Sequence, residues 1–342
     1  MKRPCPQPIW MLLALWIGAV AGCTAPLQPA SPPTERPDTA QSALPNPAPV
    51  PLADGQKLRV VATTNLIGDV VSQIGGETIE LTQLLPIGAD PHSYQARPDD
   101  LRALNNAHVV FANGLHLEEA MQDVLGNLDP QIPLVTVNFG VDALEFHPPG
   151  EEEHGTEPEQ EGHDHAEFDP HTWMDVRNVM RWTETIAAVL AALDPAHADA
   201  YAANAAYYQA QLDELQAEIV AAVAQIPAER RYLVSDHGNL GYLAHAYGFT
   251  VAGTVVPSFS TLASPSAQEL ARLQTQIAAE KIRAIFVDTT VNPAVAAQLA
   301  ADTGVAVLPI YTGSLSDPSG PAATYLELMR YTVGQIVAAL AD

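Results

Sequence analysis

After residue 56, short apolar runs alternate with stretches in which apolar residues recur every three or four positions. The runs predict buried strands, and the periodic stretches predict amphipathic helices. The predicted strands are 58–62, 79–85, 109–111, 134–137, 232–234, 284–287 and 305–310. The predicted helices are 65–75, 99–106, 118–125, 240–247, 264–280, 292–303 and 321–340. Asn65 is the predicted N-cap of the first of them, and Ser264 is the predicted N-cap of the helix at 264–280. Strands that alternate with helices indicate α/β lobes with mostly parallel sheets.

A long helical stretch separates the two groups of strands. Residues 176–226 have a helical pattern that is interrupted at Asp194-Pro195, where Asp194 is the predicted N-cap of a second helix. That second helix has about thirty residues and spans about 45 Å, which is enough to join two lobes. We therefore expect an N-terminal α/β lobe at 56–193, a long, rigid linking helix at 194–226 and a C-terminal α/β lobe at 227–342.

The first residues have the pattern of an export signal. Lys2 and Arg3 precede an apolar run at 9–20, which is too short for a membrane span, and the run leads into a lipobox-like sequence at 20–23. We expect a lipoprotein signal peptide at 1–22 and a lipid on Cys23; the alternative is an ordinary signal peptide with an incidental cysteine. Residues 23–55 are rich in proline and predict a tether. The body would then be extracytoplasmic and held at the membrane by its lipid alone.

The charge is strongly negative and unevenly placed. The chain has 15 Lys+Arg against 40 Asp+Glu, a formal net charge of −25, which argues against nucleic-acid binding. Residues 145–167 are crowded with acids and predict an exposed loop. This loop also contains His147, His154, His163 and His165. We interpret it as a low-affinity metal collector; the alternative is a solvated acidic insertion.

Three histidines follow predicted strands in similar positions. Asp90-Pro91-His92 and Asp169-Pro170-His171 are identical tripeptides, and His237 follows the strand at 232–234. Loops at the carboxyl ends of parallel strands converge on one cleft, so these imidazoles predict a shared metal site. Three neutral imidazoles suit Zn²⁺, whereas Mn²⁺ prefers more carboxylate. His116 is a minor candidate for the cleft, and the residues expected to be structural or at the surface are His108, His197 and His245.

Four segments carry a family resemblance: LPIGADPHSYQARPDD at 85–100, FDPHTWMDV at 168–176, DHGNLGYLAHAYG at 236–248 and IYTGSLSDPSGPAATYLELMR at 310–330. Together they resemble the zinc/manganese branch of the ABC-transporter solute-binding proteins, and the resemblance extends over residues 58–340. The resemblance implies two α/β lobes joined by one long helix. Metal would be held between the lobes by His92, His171 and His237, and would pass to a membrane permease. A histidine at the third position and an acidic histidine loop are features of the zinc type. We also expect the receptor to act as a monomer.

One position departs from the family pattern. Gly313 stands where many members have an aspartate ligand, so the fourth ligand would be water, Asp317 or a histidine of the collector loop.

Alternative functions for the same fold are a manganese or iron receptor and an adhesin. Three histidines with an open position would also suit a zinc-dependent hydrolase. The sequence lacks the HExxH motif and the nucleophile elbow, and we expect no enzyme activity.

Overall fold

The computed structural model describes residues 44, 46–145 and 168–341. All of them belong to one compact unit that begins at Asp38. The predicted signal peptide, Cys23, most of the tether and the four histidines of the collector loop lie outside the described residues. No helix within the described part of the chain is both long and apolar enough to cross a membrane.

The first lobe is a parallel sheet with helices on its connections. Its strands are β1 (Leu58–Ala62), β2 (Ile79–Gln83), β3 (Val109–Ala112) and β4 (Leu134–Thr136). Its helices are α1 (Asn65–Gly75), α2 (Pro98–Asn106) and α3 (Gln122–Gly126), followed by α4 (Val176–Leu193). The strand order is β2-β1-β3-β4, and every pair is parallel. All four strands therefore send their carboxyl ends to the same edge of the sheet.

The second lobe repeats this architecture. Its strands are β5 (Tyr232–Ser235), β6 (Thr250–Thr254), β7 (Ala284–Asp288) and β8 (Ala306–Ile310). Its helices are α6 (Gly241–Tyr247), α7 (Ala267–Ala279), α8 (Ala294–Thr303) and α9 (Tyr325–Leu340). The order β6-β5-β7-β8 is again wholly parallel. The α/β fold class with two parallel sheets is confirmed.

One long helix joins the lobes. After α4 and a short 3₁₀ turn (Pro195–His197), α5 runs from Ala198 to Val223; its 26 residues span about 39 Å. One stripe of α5 is buried and consists of Tyr201, Tyr208, Leu212, Leu215, Ile219 and Val223. α5 packs against α1 and α4 of the first lobe and against α9 of the second. The predicted linking helix is therefore packed along much of its length rather than free between the lobes.

The structure corrects three predicted helix caps. Thr64, not Asn65, caps α1, because its hydroxyl accepts the backbone N–H of Ile67. Asp194 does not cap the backbone of the following turn; its carboxylate accepts hydrogen bonds from Tyr201 and lies beside the His197 ring. Helix α7 begins two residues later than expected, with Ser266 as the N-cap in place of Ser264.

Strand β6 was not predicted. Its first two residues, Thr250 and Val251, are exposed, and Gly253 interrupts its apolar pattern. β6 lies at the edge of the sheet, where only β5 pairs with it. Because the first two residues of β6 are exposed, the strand is only partly apolar, and the periodicity gave a weak signal here.

Candidate metal site

The first site loop follows β2 and is fixed by Asp90. One carboxylate oxygen of Asp90 accepts the backbone N–H of His92 at 3.0 Å, and the other accepts the hydroxyl of Ser93 at 2.8 Å. This is an Asx-type turn, in which a short polar side chain satisfies the backbone that follows it. Proline at position 91 restricts the backbone further. The loop thus places the His92 ring in the interior, where it is 2% exposed.

The second site loop precedes α4. Asp169 Oδ1 accepts the backbone N–H of His171 at 2.9 Å and lies 2.8 Å from the ring Nδ1 of the same histidine. Trp173 continues the loop and donates its indole N–H to the carbonyl of Thr312 in the second lobe, at 2.7 Å. The two tripeptides have the same sequence but different hydrogen bonds. Asp169 contacts the ring of its histidine, whereas within its own loop Asp90 bonds to the backbone of His92 and to a serine hydroxyl.

The third site loop follows β5 directly. Asp236 Oδ2 lies 2.8 Å from Nδ1 of His237, and Asp236 Oδ1 accepts the backbone N–H of Asp288 at 3.1 Å. The hydroxyl of Ser235 donates to the carbonyl of His237 at 2.6 Å. The ring is therefore held from its Nδ1 side, and its Nε2 is directed away from the strand.

The three imidazoles meet in the interior between the lobes. Nε2 of His171 lies 3.2 Å from Nε2 of His92 and 3.3 Å from Nε2 of His237. The ligand atoms of the three rings all lie within 4.8 Å of one another, and each residue is at most 4% exposed. Among the described residues, this is the group of His, Cys, Asp and Glu side chains that could hold a metal ion. No carboxylate belongs to it.

Burial and mutual repulsion keep two of the rings neutral. Burial lowers the pKa of His92 well below its usual value, and its proximity to His171 and His237 lowers it further. Burial likewise lowers the pKa of His171. For His237 burial acts in the same direction, but the nearby carboxylates, Asp236 first and then Asp288 and Asp90, together outweigh it and the pKa is raised. Neutral imidazoles present a nitrogen lone pair, which is the form that binds metal.

The Asp169 carboxyl is itself perturbed. Burial raises its pKa to about 7, against the opposing effects of the His171 backbone N–H and the nearby His237. Its second oxygen, Oδ2, is buried and has no hydrogen-bond partner. A cation beside the histidines would stabilise this carboxylate in its charged form. Asp169 would therefore add a negative charge beside the three histidines when a cation is bound.

Asp288 lies near the site, but its hydrogen bonds are used to hold a loop. Asp288 Oδ2 accepts the backbone N–H of Thr312 at 3.2 Å, the hydroxyl of the same threonine and the backbone N–H of Gly313. Asp288 Oδ1 accepts the backbone N–H of Thr290 at 2.7 Å. The carboxylate thus fixes the segment that follows β8.

Gly313 faces the first lobe. A Cβ atom built on it would lie 3.4 Å from Cδ of Pro91, the residue before His92, and 3.2 Å from the Asp288 carboxylate. Asp317 is exposed in a turn that is closed by the hydrogen bond from Gly320 N–H to its carbonyl. It is not a member of the histidine group.

The remaining histidines of the described chain lie outside the group. His108 Nδ1 accepts the backbone N–H of Arg59 at 3.0 Å, and the His197 ring lies 2.6 Å from the Asp194 carboxylate. His245 is exposed on α6. His116 is exposed and has a positive φ of 62°.

Sequence reasoning missed three residues of this region. Asp236 supports the third histidine, Phe259 lies with its ring centroid 6.5 Å from that of His171, and Asp288 fixes the loop after β8. Two of them left a signal in the sequence. Asp236 directly precedes His237, and Asp288 ends an otherwise apolar strand at the edge where the ligand loops gather. Phe259 left none, because it lies between elements in a segment without periodicity.

The family model for the periplasmic zinc-uptake complex component A matches residues 60–339. The chain belongs to this family. The manganese-binding lipoprotein MntA of Halalkalibacterium halodurans is 32% identical over the full length of both chains. The zinc-binding protein TroA of Treponema pallidum is 33% identical over 84% of this chain and 90% of that protein.

Solved structures agree with the family assignment. The structure of TroA from Treponema pallidum covers 84% of this chain and all of its own, with a TM-score of 0.74 and 29% identity. A manganese-bound periplasmic metal-binding protein from Candidatus Liberibacter asiaticus covers 83% of this chain with a TM-score of 0.71 and 30% identity. The predicted resemblance is confirmed: this member of the family is a metal-binding receptor of an ABC transporter and not an enzyme.

Proposed function

We propose that this receptor binds Zn²⁺ outside the cytoplasm, through His92, His171 and His237, and delivers it to the permease of an ABC importer. The observation that carries the proposal is the spacing of the three Nε2 atoms. With Zn–N bonds of about 2.0–2.1 Å, two ligands of a tetrahedral zinc lie about 3.3 Å apart. The Nε2 separations of 3.2 and 3.3 Å have this length.

The donor set favours zinc over manganese. Three imidazole nitrogens without a carboxylate suit Zn²⁺, while Mn²⁺ is a hard ion that prefers oxygen ligands. The relatives carry both metals in their names, since MntA is called manganese-binding and TroA zinc-binding. Manganese is therefore the second candidate for this site, and the choice rests on the donor atoms.

The fourth coordination position would be open to water. Gly313 offers no side chain, and the oxygens of Asp288 accept hydrogen bonds from the backbone of the loop that follows β8. Three histidines with one water is an established zinc geometry. Because a receptor must also give up its ion, an incomplete protein shell suits delivery.

The predicted N-terminal segments would keep the receptor near its transporter. A lipid on Cys23 and the tether that follows would hold a monomeric body close to the membrane. The relative MntA is itself named a lipoprotein. Glu145 and Phe168, at the two ends of the acidic histidine loop, form a β-bridge, and Phe168 directly precedes the Asp169-Pro170-His171 tripeptide. The loop would therefore raise the local concentration of zinc close to the site.

Metal analysis of the purified full-length protein, followed by competition between Zn²⁺ and Mn²⁺, tests the proposal. We expect one tightly bound zinc per chain that manganese does not displace at equal concentration. His171→Ala should abolish the tight site, because this residue contributes the central Nε2 of the three. Exposed His245→Ala is the matched control and should retain it. Displacement of zinc by equimolar manganese would favour the second candidate, and a tight site that survives His171→Ala would refute the ligand assignment.

A further inference from the structure

The segment 256–262 between β6 and α7, here called the strap, contacts all three ligand loops. It begins beside His237. The backbone N–H of Val256 donates to the carbonyl of Asp236 at 2.8 Å, and the backbone N–H of Gly238 donates to the carbonyl of Ser258 at 2.8 Å. The two residues that flank the third ligand are thus bonded to the strap.

The middle of the strap covers the second ligand. Phe259 is 7% exposed, and its ring centroid lies 6.5 Å from that of His171. The strap also lies close against Gly238, because a Cβ atom at that glycine would be 2.8 Å from the Phe259 ring. The aromatic ring therefore forms part of the wall that separates the histidines from solvent.

The far end of the strap reaches the first lobe. The hydroxyl of Thr261 donates to Oδ2 of Asp90 at 2.5 Å, and the hydroxyl of Ser260 donates to Oε2 of Glu119 at 3.0 Å. Asp90 is the same carboxylate that accepts the backbone N–H of His92. One aspartate therefore joins the first ligand loop to a hydroxyl of the opposite lobe.

We infer that the strap acts as a clasp of the metal site, which means that it holds the two lobes together around the ligands. In this clasp Thr261 is a positioning residue that sets how long the ion is retained. The inference rests on the proposed function. The ligands come from both lobes, since His92 and His171 belong to the first and His237 to the second. Release therefore requires the lobes to part, and parting them breaks the hydrogen bonds of Thr261 and Ser260 to carboxylates. These bonds are of the stronger, charge-assisted kind.

The test is the rate of zinc release from the purified full-length protein into excess chelator, followed by stopped flow. Thr261→Val removes the hydroxyl and keeps the shape of the side chain. A hydrogen bond to a charged group corresponds to about a tenfold change in rate, so we expect release to accelerate about tenfold in Thr261→Val. We expect a further increase when Ser260→Ala is added. Thr261→Ser retains a hydroxyl and should release zinc at nearly the wild-type rate.

Two measurements separate the clasp from a general loss of structure. Thr275→Val is the matched control, because the Thr275 hydroxyl bonds only to a carbonyl within its own helix; its release rate should equal that of the wild type. The melting temperature of the metal-free Thr261→Val protein should stay close to that of the wild type, and its zinc stoichiometry should remain one.

The outcomes distinguish this inference from the proposed function. A wild type that binds zinc tightly, together with an unchanged release rate in both Thr261→Val and the double variant, would overturn the clasp alone. Equal acceleration in Thr275→Val would also overturn it. A wild type without a tight zinc or manganese site would overturn the proposed function and the clasp together.

Discussion

The carboxylate of Asp169 lies 2.8 Å from Nδ1 of His171, on the side of the ring opposite to the metal site. A carboxylate at this position fixes the ring orientation and makes the other nitrogen a better metal ligand. Asp236 stands in the same relation to His237, whereas Nδ1 of His92 is buried without a hydrogen-bond partner. Two of the three proposed ligands are therefore held from behind by an acid, and the third is held through its backbone.

A methyl group at Gly241 should disturb this arrangement. A Cβ atom there would lie 2.5 Å from Asp169 Oδ2, so the carboxylate must turn away from His171. We expect Gly241→Ala to weaken zinc binding about tenfold or more, the usual effect of losing such a supporting group. Competition with a chelator of known affinity measures it. The control is Gly334→Ala within α9, where nothing lies within 4 Å of the new methyl; equal weakening there would contradict the account.

An aspartate at position 313 should bring the site closer to a manganese site. Its Cβ would lie beside Pro91, so the carboxylate would enter the cleft between the lobes near His92. Because oxygen ligands favour Mn²⁺, we expect Gly313→Asp to raise manganese affinity relative to zinc. Gly313→Ala introduces the same Cβ without the charge and is the matched control in the competition titration. A selectivity that changes equally in both variants would show that crowding, not the carboxylate, is responsible.

The positions of the ligand loops could be predicted because they depend on local pattern. A run such as 58–62 is apolar enough to identify a buried strand, and parallel strands bring the loops that follow them to one edge. The shared tripeptide does not fix the role of its aspartate. Asp169 contacts the ring of its histidine, whereas Asp90 accepts the backbone N–H of His92 and, across the cleft, the hydroxyl of Thr261.

What the sequence could not reveal are the contacts between distant parts of the chain. Asn65 was interpreted as a helix cap, but its amide bonds to Ser314 and to the backbone of Leu315, about 250 residues away. A cap and a bridge between lobes need the same type of side chain, so residue type alone does not separate them. The cap of α7 was misplaced because Ser264 and Ser266 are the same residue type, and Asp194 does not act as a cap because its carboxylate bonds to the Tyr201 hydroxyl.

His108 should make the stability of the first lobe depend on pH. Burial, followed by the nearby charge of Arg59, lowers the pKa of His108 below 6.5, so the folded state favours the neutral ring that accepts the Arg59 backbone N–H. This contribution is present above pH 6.5, the value in the unfolded chain, and is lost as the pH falls through the folded-state pKa. We expect His108→Gln to cost about 1 kcal/mol at pH 7.5 and less at pH 5.

Urea unfolding at the two pH values measures this difference. His245→Gln, on the exposed side of α6, is the matched control and should leave the free energy of unfolding unchanged at both. A gap between wild type and His108→Gln that stays constant with pH would show that the ring does not titrate in this range.

Deleting residues 151–165 should separate collection from tight binding. The deletion removes His154, His163 and His165 but none of the three proposed ligands. We expect calorimetry to show the loss of weak additional zinc sites while one tight site remains. A matched variant that keeps the acids and replaces those histidines with glutamine tests whether charge alone is sufficient. Loss of the tight site on deletion would contradict a collecting role.

The order in which the chain is synthesised has a consequence for the histidine group. His92 and His171 are 79 residues apart, His237 follows 66 residues later, and the carbonyl that holds Trp173 belongs to Thr312. A growing chain therefore contains one of the three imidazoles after residue 92, two after residue 171 and all three only after residue 237, and the Thr312 carbonyl is added near the end of synthesis. A copy that ends before residue 237 lacks one of the proposed ligands, and a copy that ends before residue 312 lacks the carbonyl that holds Trp173, so the proposed site is formed only by a nearly full-length chain.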